Sequence, residues 1–239
     1  MDFAIQVCSY LVGLPLELLT IAAMLRGGYK RYPLVFTYVI IFFLTTVVEM
    51  PSAVAFYRNK GDPVLADNYT WWYFRDEAVL QLLIFAVVIS FIYEASSKLA
   101  SRRAVRLGLI SGAVLFVGIS FVIHYHPVPN ISWGVWFTAW ISNVKFCAAI
   151  LDLALWALLI GSREKDRRLL LLTCGLGLMF AGEAIGESLR NLSSLHRSHL
   201  IADIGGILVL ISNMAFLYVW WRAFKTPYPP TAPKAAGAY

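Results

Sequence analysis

Apolar residues in this chain come in long runs, separated by short clusters of charged and turn-forming residues. A helix that crosses a membrane needs about 20 mostly apolar residues, because it rises ~1.5 Å per residue through a hydrocarbon core ~30 Å thick. Seven runs qualify: Phe3–Leu25, Leu34–Tyr57, Tyr73–Ala95, Leu107–His124, Trp133–Ile160, Leu169–Arg190 and His199–Trp221. The fourth is the shortest, and the fifth is long enough to tilt or to extend past the bilayer. The pattern predicts an all-α integral membrane bundle of seven transmembrane helices over residues 1–224. The connecting segments are too short to hold a soluble domain. The tail, residues 225–239, carries Pro227, Pro229, Pro230 and Pro233 and is expected to be disordered. Asp2 stands where a cleaved signal peptide would carry a basic residue, so the first run is expected to be a retained helix.

Composition agrees with the runs. The chain is 59% hydrophobic and 14% charged, against about 25% charged in an ordinary soluble domain. A net charge of +6 could point to nucleic acid. The basic residues, however, sit in short clusters between apolar runs, without a basic helix or an aromatic–basic motif, so no nucleic-acid partner is expected. Those clusters set an orientation instead. Arg26, Lys30 and Arg31, then Lys98, Arg102, Arg103 and Arg106, then Arg163, Lys165, Arg167 and Arg168, then Arg222, Lys225 and Lys234 give fourteen basic residues on one side. Arg58, Lys60, Arg75, Arg190 and Arg197 give five on the other. Positive residues are retained in the cytoplasm, which predicts an outside amino terminus and a cytoplasmic carboxyl terminus. Trp71, Trp72 and Trp133 fall at the expected outer boundary, and Trp220 and Trp221 at the inner one, where indole rings prefer to lie.

Ionisable groups inside the runs carry the candidate chemistry. Each costs about 2.5–3.5 kcal/mol at the bilayer centre, so it is expected to face the bundle or a wet cavity. Glu49, Asp76, Glu77, Glu183, Glu187 and Asp203 all fall in the predicted outer half. Lys145, the single lysine inside a run, is near the middle. Glu17 and Asp152 lie deeper. Glu183 and Glu187 are four apart on one helical face, and Lys145 is their natural partner. These seven residues, Glu49, Asp76, Glu77, Lys145, Glu183, Glu187 and Asp203, are expected to surround a ligand- or ion-binding cavity open to the outside, with Lys145 at its floor. The plainer alternative is a set of structural pairs that fix helix packing. Gly108 with Gly112, and Gly182 with Gly186, have the spacing that lets helices approach closely. Pro15 and Pro51 are expected to kink their helices beside Glu17 and Glu49.

Other features are weaker. His124, His126, His196 and His199 lie at the predicted outer surface and could hold a divalent metal, but their spacing is not diagnostic. Cys8, Cys147 and Cys174 all sit inside apolar runs and suggest no disulfide framework. Three Asn-x-Ser/Thr triplets, at Asn68, Asn130 and Asn191, fall in short outer loops and read as chance. No cofactor motif is present.

Helix count and orientation resemble those of G-protein-coupled receptors and microbial rhodopsins, but the residues that carry those families are missing. The last predicted helix has no lysine for a retinal Schiff base, the third ends in Tyr93-Glu94-Ala95-Ser96, and Asn213 is not followed by proline. A second resemblance is to the three-one-three SWEET sugar carriers. Runs one to three and five to seven share an orientation, and Glu49 and Asp76 correspond in position to Glu183 and Asp203. No HExxH, GxSxG or Ser–Lys constellation argues for an enzyme. The expected function is therefore that of a sensory or accessory membrane subunit, binding a small ligand and acting through a separate signalling partner or a homo-oligomer. The alternative is a small-solute or ion transporter, proton-coupled through Glu183 and Glu187. Residence in a bacterial cytoplasmic membrane is expected.

Overall fold

The computed structural model describes residues 3–58, 62–96, 102–125, 133–161, 166–196 and 199–225. The tail expected to be disordered, residues 225–239, lies outside the described residues from residue 226 onward. Every regular element described is an α-helix: α1 (Phe3–Leu25), α2 (Gly28–Arg31), α3 (Pro33–Arg58), α4 (Pro63–Ala95), α5 (Arg102–His124), α6 (Trp133–Gly161), α7 (Arg167–His196) and α8 (His199–Lys225). Six of them, α1, α3, α4, α6, α7 and α8, are long and apolar enough to cross a membrane. The fourth predicted run lies in α5, whose apolar stretch, Ile110–Ile123, is shorter. The chain is thus a helical membrane bundle of six to seven long apolar helices.

Helix ends follow local chemistry. α4 begins ten residues before the run that starts at Tyr73, because Asp62 caps it. The Asp62 carboxylate accepts from the Val64 N–H at 2.9 Å, and Pro63 fits the first turn, where no N–H is needed. Asp166 does the same for α7, accepting from the N–H groups of Arg168 (3.0 Å) and Leu169 (3.2 Å). Gly27, at φ 122°, turns the chain between α1 and the short α2 in a backbone conformation that side chains disfavour. The helices run unbroken through Pro15 and Pro51. Beside Pro51, the Ser52 hydroxyl donates to the Glu49 carbonyl at 2.7 Å.

The six long helices close into a ring. α1 packs on α3, α3 on α4, α4 on α6, α6 on α7, α7 on α8, and α8 back on α1. The order is two triplets in sequence, α1–α3–α4 and α6–α7–α8, joined at two seams. α5 lies outside the ring against α6, with a slight contact to α4. It is held by Trp140 donating to the Val117 carbonyl at 3.3 Å and Asn143 donating to the Ser120 hydroxyl at 3.2 Å. The closest crossing is α7 on α8. A β-carbon at Gly186 would lie 2.7 Å from the Gly205 carbonyl oxygen, and one at Gly182 would overlap the Ser212 side chain. This pair behaves as its spacing predicts. Gly108 and Gly112 do not: a β-carbon at either meets open space, because α5 has no helix against that face.

The core fills the half of the ring nearer the α3 start and the α8 end. Phe91, Phe216 and Trp220 are fully buried there, with Met24, Val35 and Leu172 around them. Phe216 and Trp220 meet edge to face at 4.4 Å, and Tyr38 touches both. The Trp220 indole N–H donates to the Leu172 carbonyl at 3.0 Å, which satisfies its one polar group in an apolar setting. At the rim of this half, Arg31 ties α2 to α4 and α7 through Glu94 (2.7 Å) and Asp166 (2.9 Å).

Candidate functional site

The opposite half of the ring encloses a cavity of about 470 Å³. Four helices bring their polar faces to it by the helical repeat. α3 contributes Phe42, Thr46 and Glu49. α4 contributes Tyr69, Tyr73, Asp76 and Glu77. α7 contributes Glu183, Glu187 and Arg190, and α8 contributes Asp203, Gly206, Leu210 and Asn213. Lys145 enters from α6, and Tyr10 from α1. All seven residues singled out from the sequence, Glu49, Asp76, Glu77, Lys145, Glu183, Glu187 and Asp203, line this one space.

Lys145 is its electrostatic centre. Its ammonium lies 2.5 Å from Glu77 Oε1, 3.2 Å from Glu187 Oε1 and 3.4 Å from Glu183 Oε2. Its side chain is 16% exposed and that of Glu183 14%, whereas Glu187 at 44% reaches the mouth. Glu77 also accepts from the Gln81 amide at 3.3 Å. The clamp therefore joins α4, α6 and α7 across the ring. Three carboxylates on one ammonium leave an excess of two negative charges (three minus one) if all ionise. In a low-dielectric setting such an excess draws in protons or another cation.

Other ionisable groups are placed elsewhere. Glu17 and Asp152 are each 2% exposed and lie outside the cavity lining. Glu17 accepts from the Thr46 hydroxyl at 3.4 Å, so one cavity-wall side chain connects it to the site. Asp152 Oδ1 is buried without a hydrogen-bond partner. Asn143 donates to the Ser120 hydroxyl on α5. The Arg75 guanidinium lies over the rings of Trp71 (5.3 Å) and Trp72 (5.8 Å). His126 lies outside the described residues, and so do the side chains of His124, His196 and His199. Among the described residues, no group of three His, Cys, Asp or Glu side chains is set to hold a metal ion.

Tyrosines complete the lining, and the pattern of charges along the sequence does not reveal them. Tyr57, Tyr69 and Tyr73 line the cavity in a chain of ring contacts, at 6.0 Å from Tyr57 to Tyr69 and 6.2 Å from Tyr69 to Tyr73. The Tyr69 hydroxyl donates to Glu49. A signal was available: Tyr69, Tyr73, Asp76 and Leu80 follow a spacing of four, three and four, so the face that carries the acid also carries both rings. Compared with known proteins, the chain matches no family model, no curated protein and no solved structure. The reading of the site rests on its own chemistry.

Proposed function

We propose that this chain is a small-ligand-binding membrane protein, a sensory or accessory subunit that acts through a separate partner. In this reading the cavity mouth and the amino terminus face outward, the carboxyl terminus is cytoplasmic, and the membrane is the bacterial cytoplasmic membrane. The observation that carries it is the Lys145 clamp at the wall of a 470 Å³ cavity. That volume lies within the range of about 300–1,000 Å³ usual for small-molecule sites. The packed layer of Tyr38, Phe216 and Trp220 below the cavity supports access from one side only. The charge bias of the connecting segments supports the orientation.

The test is a thermal-shift screen of small molecules on the purified full chain. Stabilising hits are expected on the natural sequence and are expected to vanish in the double variant Lys145→Met, Glu77→Gln, which removes one charge of each sign. A screen with no hits, or hits unchanged in the double variant, overturns the proposal.

The ring of two triplets favours a second reading, a proton-coupled small-solute or ion carrier in a three-one-three arrangement. Glu49 of the first triplet and Glu183 of the second meet at the same cavity, as do Asp76 and Asp203. Accumulation of a hit compound in liposomes under a pH gradient supports the carrier. Saturable binding without flux supports the sensor.

A further inference from the structure

The cavity wall carries six carboxyl groups, Glu49, Asp76, Glu77, Glu183, Glu187 and Asp203, against two basic side chains, Lys145 and Arg190. Lys145 is committed to Glu77, Glu183 and Glu187. Glu49 has no such partner. The charges that act on it are those of Asp76 and Glu77, both negative, and its hydrogen bond comes from the neutral Tyr69 hydroxyl. Beside it, Asp76 Oδ2 is shielded from solvent and has no hydrogen-bond partner. The nearest basic group acting on Asp76 is Arg75, whose guanidinium lies over the rings of Trp71 and Trp72. The Glu49–Asp76 corner, two carboxyls with Arg75 acting on only one of them, is therefore short of positive charge.

We propose that this corner binds the charged head of a small organic ammonium ion. The inference rests on the ligand-binding reading above and names the ligand class for the same site. Three features select that class. The excess negative charge disfavours an anion, and a neutral ligand would leave both carboxyls to be neutralised by protons alone. A bare metal ion would need several converging oxygen ligands, and no group of three metal-ligating side chains is gathered among the described residues. The linked rings of Tyr57, Tyr69 and Tyr73 stand on the same wall, and aromatic faces attract ammonium groups within ~6 Å of the ring centre. Phe42, Leu80 and Leu210 also line the cavity and offer apolar surface to the carbon skeleton of the same ligand.

Calorimetry on the full chain in lipid nanodiscs tests this, at fixed ionic strength, with butylammonium and tetramethylammonium chlorides set against 1-butanol and sodium butyrate. The ammonium probes are expected to bind saturably and the other two not. Glu49→Gln and Asp76→Asn are each expected to weaken ammonium binding about tenfold, the equivalent of ~1.4 kcal/mol. Tyr69→Leu is expected to weaken it severalfold, and Arg31→Ala, in the other half of the ring, not at all. If Glu49→Gln fails to fold, Asp76→Asn and Tyr69→Leu carry the same test. Equal affinity in the folded carboxyl variants overturns the inference. So does preferential binding of butanol or butyrate at a site lost in the Lys145→Met, Glu77→Gln variant, although the ligand site itself then stands. Silence from every probe, together with an empty screen, removes both.

Discussion

The two halves of the ring are built on opposite terms. Around Trp220 large apolar and aromatic side chains pack against one another, and the Trp220 indole N–H has its acceptor. Around Lys145 the wall holds more carboxyl groups than cations, and the space between them stays open. Both halves are crossed by the same helices. α3 carries Val35 and Val39 in one and Thr46 and Glu49 in the other, and α8 carries Phe216 and Trp220 in one and Asp203 and Asn213 in the other. A single helix here supplies packing over half its length and a cavity wall over the rest. Stability is therefore expected to reside in the first half and ligand response in the second.

The largest effects are expected from removing one side of a matched arrangement in each half. Trp220→Ala is expected to cost about 3–5 kcal/mol in unfolding free energy, since it empties a fully buried site. Ligand response should survive in whatever fraction remains folded. In the cavity half, Lys145→Met alone leaves three carboxyl groups without their cation, and a loss of about 3–5 kcal/mol is expected. Adding Glu77→Gln, Glu183→Gln and Glu187→Gln to Lys145→Met should recover most of that loss while abolishing binding. A cavity held together for packing alone would show no such separation, and equilibrium unfolding beside the binding assay would reveal it.

A smaller contrast separates the ring from α5. Gly186→Val forces apart the α7–α8 crossing and is expected to cost about 1–3 kcal/mol. Gly112→Val meets open space and should stay within about 0.5 kcal/mol of the natural chain. Equal losses at the two sites would mean that α5 is covered on the face the structure leaves open.

The smallest effect belongs to the rim. Arg31 is 45% exposed, so Arg31→Ala is expected to cost less than about 1 kcal/mol, and less again at high salt. Burial alone would lower the Arg31 pKa. The Glu94 hydrogen bond, the nearby Tyr32 and the charges of Glu94 and Asp166 outweigh it and hold the group above its ordinary value. A raised value stabilises the fold below the unfolded pKa, and the benefit is lost only as pH rises through the folded one. From the arginine side, the contribution should stay flat between about pH 6 and 9. Unfolding midpoints of Arg31→Ala and the natural chain, compared over that range and over salt, check both points.

Much of this arrangement was legible beforehand, for physical reasons. A membrane demands long apolar runs, so the six ring helices stand out in the sequence. An ionisable group within such a run has few tolerable places, so a shared interior is the natural expectation for Lys145 and the outer acids. What stayed hidden depends on neighbours. Nothing in Leu107–His124 says that α5 packs outside the ring, because lipid and protein both accept an apolar face. The glycines at Gly108 and Gly112 look like those at Gly182 and Gly186, and only the second pair meets a partner helix. The start of α4 was set by Asp62 and Pro63, signals outside the apolar run. The tyrosines went unremarked because aromatic residues at a membrane boundary already have an ordinary explanation.

The ring closes without α5, and its two seams, α4 against α6 and α8 against α1, are contacts between side chains and not stretches of backbone. Closure of the ring is therefore independent of α5. Two separately translated polypeptides, one ending after α4 and the other beginning at α6, would present each other with the same complementary edges.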